Sequence, residues 1–177
     1  MKRRKLRKKP LLLQHHKDAR LEFARNHRDW VEEWKTVVFS DEKKFNLDGP
    51  DGFQYYFHDL RMEERVLGRR HSRAGSVMVW AAISSRGEVG LEILEGIQTA
   101  QRYLDLLQRQ FNNIVALFPD EQWTFQHYNA PIHTARIVNT WMNNNNINVL
   151  EWPALSPDLN IIDNLRGWMT KQVYGEG

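Results

Sequence analysis

Hydrophobic and polar positions along the chain follow two periods. Residues 17–34 place Leu21, Phe23 and Ala24 near helical spacing, among charges able to pair at i,i+4. This predicts a helix leading into the main domain. Residues 36–47, TVVFSDEKKFNL, open on a β-branched run and predict a strand. A dense turn signal over 48–52 follows, and the aromatic run 53–57 predicts the returning strand of a hairpin. Residues 75–84, GSVMVWAAIS, are almost continuously apolar, as in a strand buried on both faces. Residues 85–88 form the next turn, and 89–94 pair back.

From 99 to 118 the period changes to that of a helix. Tyr103, Leu106, Leu107, Phe111, Ile114 and Leu117 mark one face, and Pro119 stops it. Short strands at 123–128 and 147–152 alternate with helices at 133–143 and 161–174. The Asn tract 143–146 marks a helix end, because asparagine tolerates the left-handed conformation. An antiparallel three-stranded meander followed by alternating strands and helices implies one α/β domain, a mixed sheet with helices packed on it. Residues 1–34 read as a basic tail and helical linker, and 35–177 as the domain.

Charge sharpens this picture. Lys2, Arg3, Arg4, Lys5, Arg7, Lys8 and Lys9 fall within eight positions, while the remaining 18 basic residues face 22 acidic ones. The positive charge is therefore a tail. It suits the phosphates of DNA through counterion release, or a nuclear-import signal, and equally a solvated end. The chain has no cysteine, which excludes disulfides, thiolate zinc sites and a catalytic thiol. No apolar run approaches the roughly 18 residues of a membrane helix.

Three places could carry chemistry. Asp41 and Glu42 interrupt an apolar strand, and alternation sends them to opposite faces. The segment 126–131, QHYNAP, ends the fourth strand; SPDLNIIDNL carries Asp158 and Asp163. Carboxylates converging from strand ends and a helix would suit Mg²⁺, although aspartates at such places are commonly caps and turns. His127 and His133 lack the spacing of a zinc pair. Trp80, Trp123 and Trp152 sit in strand segments and read as core rather than base-stacking platforms.

The segments VVFSDEKKFNLDGPDG, GSVMVWAAIS, FQHYNAPIHTA and WPALSPDLNIIDNL stand in an order and spacing that closely resembles the mariner superfamily of DDE/D transposases. The resemblance implies a ribonuclease H-like fold and Mg²⁺- or Mn²⁺-dependent cutting of transposon ends, with strand transfer into target DNA. It also implies DNA as partner, pairing of two chains as a dimer and a nuclear location. Carried over residue by residue, Asp41 stands at the first acidic position and Asp163 at the third, both as metal ligands. Tyr128 stands at the second, where the family has aspartate, with thirty-four residues between it and Asp163. A neutral phenol is a poor, bulky substitute for a bridging carboxylate. Ile161 replaces a common proline and Arg166 a usual tryptophan. Arg166 lies three residues beyond Asp163, so it either pairs with that carboxylate or faces solvent. The family carries two helix-turn-helix units ahead of this domain, and the resemblance leads us to expect in residues 1–34 only a remnant of the end of the second. The expectation is a degenerate, weakly active or inactive transposase domain, or a non-catalytic DNA- or partner-binding remnant.

Overall fold

Two strand edges decide how this chain assembles. The computed structural model describes residues 2–5, 12–47, 55–58 and 75–175. In chain order it contains β1 (Lys2–Lys5), α1 (Gln14–Asn26), β2 (Val37–Asn46), β3 (Tyr55–His58), β4 (Ser76–Ser84), β5 (Gly87–Leu94), α2 (Ala100–Leu117), β6 (Thr124–Gln126), α3 (Arg136–Asn144), β7 (Asn148–Val149) and α4 (Ile162–Tyr174). The main sheet has the order β5-β4-β2-β6-β7. β2 pairs antiparallel with β4 along one edge, from Phe39↔Ile83 to Asn46↔Ser76. Along its other edge it pairs parallel with β6.

β4 thus takes one edge of β2 from Phe39 to Asn46 and β6 the start of the other, and the expected hairpin between β2 and the aromatic run is not formed. β3 pairs instead with β1, antiparallel from Lys2↔His58 to Lys5↔Tyr55. The meander is β2-β4-β5, and the turn over 48–52 lies outside the described residues. The side chains of the basic tail lie outside them as well.

Alternation along β2 and β4 builds two cores. Val38, Trp80 and Ala82 face α2 and α3, and cluster with Leu106, Leu107, Ile114, Phe125, Val138 and Met142. Val37 and Phe39 face the other way and cluster with Phe23 of α1, Leu150 and Trp152. α2 begins where the Thr99 side chain accepts a hydrogen bond from the Arg102 amide at 3.3 Å. Of its expected stripe, Tyr103, Leu106, Leu107 and Ile114 are fully buried, each worth about 1.5–3 kcal/mol for a side chain of this size. Phe111 and Leu117 pack partly buried at its margin.

The expected elements survive with shifted ends. α1 stops at Asn26 because Trp30 and Trp34 fold back over its end. Their rings lie 4.9 Å apart, and the His27 ring sits 4.3 Å from Trp30. β7 is only two residues long. Leu150 and Trp152 beyond it remain buried, while Pro153 offers no N–H for a longer ladder. Asn146 adopts the left-handed conformation, with φ 53°, just past α3. Among the described residues, no helix is long and apolar enough to cross a membrane.

Candidate active site

Asp41 sits in mid-strand on β2, 7% exposed, on the face opposite the larger core. Its Oδ1 accepts a hydrogen bond from the Glu42 amide at 2.6 Å. Its Oδ2 lies 2.5 Å from Arg166 Nη1. The ion pair is close, although Oδ2 has no partner that meets hydrogen-bond geometry. Asp163 lies in the first turn of α4, where the helix dipole favours a carboxylate. Its Oδ1 accepts from the same Arg166 Nη1 at 2.8 Å. Arg166 Nη2 donates to the Glu42 carbonyl, completing a bridge from α4 to β2. The guanidinium thus joins Asp41 and Asp163, and the solvent-facing alternative does not hold.

Tyr128 follows β6 and turns its ring edge-on to Trp152, at 6.4 Å between centroids. Its hydroxyl is buried without a hydrogen-bond partner. Asn160, Asp163 and Arg166 all bear on the phenol electrostatically, yet none meets hydrogen-bond geometry with it. Burial, then the nearby Asp41 charge, pushes this phenol above its ordinary range, so it stays neutral. Burial also lifts Asp41 to about 7; Arg166 pulls it back down, while the Glu42 and Asp163 charges push it up.

These residues do not fit a pair of divalent cations. Mg²⁺ and Mn²⁺ need several free carboxylate or water oxygens. Here one oxygen each of Asp41 and Asp163 faces one guanidinium, and the phenol of Tyr128, within electrostatic reach of both, is neutral. Among the described residues, no group of three or more His, Cys, Asp or Glu side chains could hold an ion. Asp158, the other candidate carboxylate, lies away from the site. It pairs with Arg20 of α1, accepting two hydrogen bonds at 2.8 and 2.6 Å.

Two polar networks support this geometry, and spacing alone did not reveal either. In the first, Asn160 Nδ2 donates to Gln126 Oε1 at 3.1 Å and to the Ser40 carbonyl at 3.3 Å. Asn160 Oδ1 accepts from the Ile162 amide at 3.2 Å. Ser40 Oγ donates to the Gln126 carbonyl at 2.8 Å. In the sequence Ser40, Gln126 and Asn160 each stand as a polar residue one to three positions before Asp41, Tyr128 and Asp163, with no spacing that joins them.

The second network lies on the opposite face. Glu42 Oε1 lies 3.2 Å from His133 Nε2, and His133 Nδ1 donates to the Tyr128 carbonyl at 2.8 Å. Burial opposes charge on His133, but the Glu42 carboxylate and the Tyr128 carbonyl outweigh it, and its affinity for a proton rises. His127 is the reverse. Burial, then the His133 charge, pushes it down to about 4. As a neutral ring it shares a hydrogen bond with the Tyr103 hydroxyl, 3.1 Å from Nδ1.

Residues 36–176 match the DDE superfamily endonuclease family, and the chain belongs to it. Within that family it is a catalytic domain of the mariner transposase group with a ribonuclease H-like α/β fold. It is 41% identical over 174 residues to the transposable element Tc3 transposase of Caenorhabditis elegans, covering 98% of this chain and 52% of the relative. It is 32% identical to the Tcb1 transposase of Caenorhabditis briggsae, covering 95% of this chain and 63% of that protein. The chain thus spans only half to two thirds of these relatives' length. The catalytic domain of Mos1 mariner transposase superposes with a TM-score of 0.69 at 20% identity, over 96% of this chain and 77% of that one. A Mos1 paired-end complex with the left transposon end gives 0.72 at 24% identity, over 95% and 52%.

Proposed function

We propose that this chain is a DNA-handling transposase domain whose metal-dependent phosphodiester cleavage is lost or strongly reduced at Tyr128. The observation that carries this reading is the buried, neutral phenol set among Asp41, Asp163 and Arg166. Mos1 structures are described with Mg or Mn, and the chemistry those ions supply is activation of a water and stabilisation of the leaving oxygen. Asp41 and Asp163 are the residues of this chain that would have held them. DNA is the proposed partner, with two copies paired on it, as the Mos1 paired-end complex is described with a transposon end. A nuclear location belongs to the same proposal.

The test is nicking of supercoiled plasmid in Mn²⁺, with Asp41→Ala beside the unmodified chain. The expected result is no difference between them. Nicking that disappears in Asp41→Ala would overturn the loss of cleavage.

The second reading is a non-catalytic DNA binder, favoured by the cluster Lys2, Arg3, Arg4, Lys5, Arg7, Lys8 and Lys9. Seven cations on phosphates give a steep salt dependence with little sequence discrimination. Deleting residues 1–9 should flatten that dependence. Binding unchanged by the deletion would remove the tail from the interface.

A further inference from the structure

We propose that Arg166 is a built-in counter-cation that keeps divalent metal out of the Asp41–Asp163 site, so that the site carries two independent obstacles to metal binding rather than one. This rests on the reading of position 128 as a former ligand position. The geometry carries the rest. One nitrogen, Nη1, lies 2.5 Å from Asp41 Oδ2 and 2.8 Å from Asp163 Oδ1. The other, Nη2, donates to the Glu42 carbonyl. Three anchor points from two elements hold the guanidinium still, and its side chain is only 15% exposed.

An arginine side chain stays charged at every pH a protein survives, and it donates hydrogen bonds without accepting any. It therefore cannot join a metal's ligand shell. It can only compete for the same carboxylate oxygens and repel the ion. A metal entering between Asp41 and Asp163 would have to displace Arg166 from both carboxylates. Helical spacing makes this persistent, because Asp163 and Arg166 sit three residues apart on one face of α4 and travel together.

The consequence is specific. Replacing Tyr128 by aspartate restores the missing carboxylate but leaves the cation in place, and adds a further partner for it. Removing the cation alone leaves the phenol. Only the two changes together should open the site.

The experiment is calorimetric titration of Mn²⁺ into the full chain and into Tyr128→Asp, Arg166→Met and Tyr128→Asp/Arg166→Met, with circular dichroism to confirm the fold. The expected result is saturable binding in the double variant, at least about tenfold tighter than in either single variant, and abolished by adding Asp41→Ala. Should the double variant fail to fold, Tyr128→Asp/Arg166→Lys takes its place. Lysine keeps the charge but loses the second nitrogen that anchors the guanidinium to the Glu42 carbonyl, so a partial gain over Tyr128→Asp is expected.

Tyr128→Asp binding Mn²⁺ as tightly as the double or lysine variant would overturn the role of Arg166 while leaving position 128 as a ligand position. Folded variants that all fail to bind would overturn the reading of position 128, and this proposal with it. In the unmodified chain, Mn²⁺ should leave the amide resonances of Asp41 and Asp163 sharp. Selective broadening there would overturn both obstacles at once.

Discussion

The two faces of the sheet treat neighbouring acids in opposite ways. β2 sends Glu42 towards α2 and α3 and Asp41 towards α4, and each carboxylate meets a cation. Glu42 meets His133, whose charge depends on pH; Asp41 meets Arg166, whose charge does not. The apolar surroundings differ as well. Among the described residues, fourteen buried ones cluster on the Glu42 side and five on the Asp41 side. The larger cluster supplies the stability that lets the smaller face carry the buried carboxyl of Asp41. Chemistry and packing are divided between the faces, and one strand serves both.

The strongest way to break this comparison is Trp80→Ala. Trp80 is fully buried and stands opposite Glu42 in the β2–β4 register. Its loss should cost about 3–5 kcal/mol, enough to unfold much of the population of a marginal domain. Trp168 on α4 is 59% exposed, and Trp168→Ala should stay within about 0.5 kcal/mol. Chemical denaturation of the two variants measures the contrast. Equal costs would show that the large cluster does not dominate stability.

A smaller effect separates the faces by pH. His127 is held at about 4 when folded, against about 6.5 for an ordinary histidine. The unfolded chain therefore takes up this proton first, and stability is lost as pH falls from about 6.5 to about 4. Asp41, held at about 7, runs the other way. There the folded chain takes the proton first, and the stability it contributes is lost as pH rises from about 4 to about 7.

The two slopes oppose each other, so the test is a difference. Tyr103 of α2, His133 before α3 and Phe125 of β6 surround His127, and His127→Gln leaves all three in place. It keeps a hydrogen-bonding partner for Tyr103 and removes the titration. Between pH 6.5 and 4 the variant should gain on the unmodified chain by on the order of 2–3 kcal/mol. Parallel stability curves across that window would refute the neutral assignment of His127.

Periodicity made one face legible and left the other obscure. The stripe Tyr103, Leu106, Leu107 and Ile114 and the run around Trp80 reported their burial directly, because apolar side chains at regular spacing have one place to go. The separation of Asp41 from Glu42 followed from alternation alone. Strand pairing was less readable. An aromatic segment after a turn looks like a hairpin return, and nothing local says that β4 takes the edge of β2 from Phe39 to Asn46. The convergence of Asp41, Tyr128 and Asp163 came from resemblance to a family, since residues this far apart carry no spacing signal. Arg166 was visible only as half of a pair with Asp163; its reach to Asp41 depends on how α4 lies across β2.

The smallest expected effect concerns how the polar face is held together. Asn160 is 3% exposed and joins β2, β6 and the start of α4 through its amide. Asn160→Ala removes both donors and the acceptor. It leaves the Ser40 carbonyl without that partner and frees the first turn of α4 from its tether. The expected cost is about 1–2 kcal/mol, less than for a large core side chain because Gln126 Oε1 keeps the Ser40 amide as donor. Its location matters more than its size. Amide hydrogen exchange should speed up along α4, including Asp163, while α2 and α3 keep their protection. That outcome would make the polar network the element that holds α4, and with it Asp163 and Arg166, against Asp41. Faster exchange spread evenly over both faces would mean that the sheet and its helices open as one unit, and that the division between the two faces does not extend to their motions.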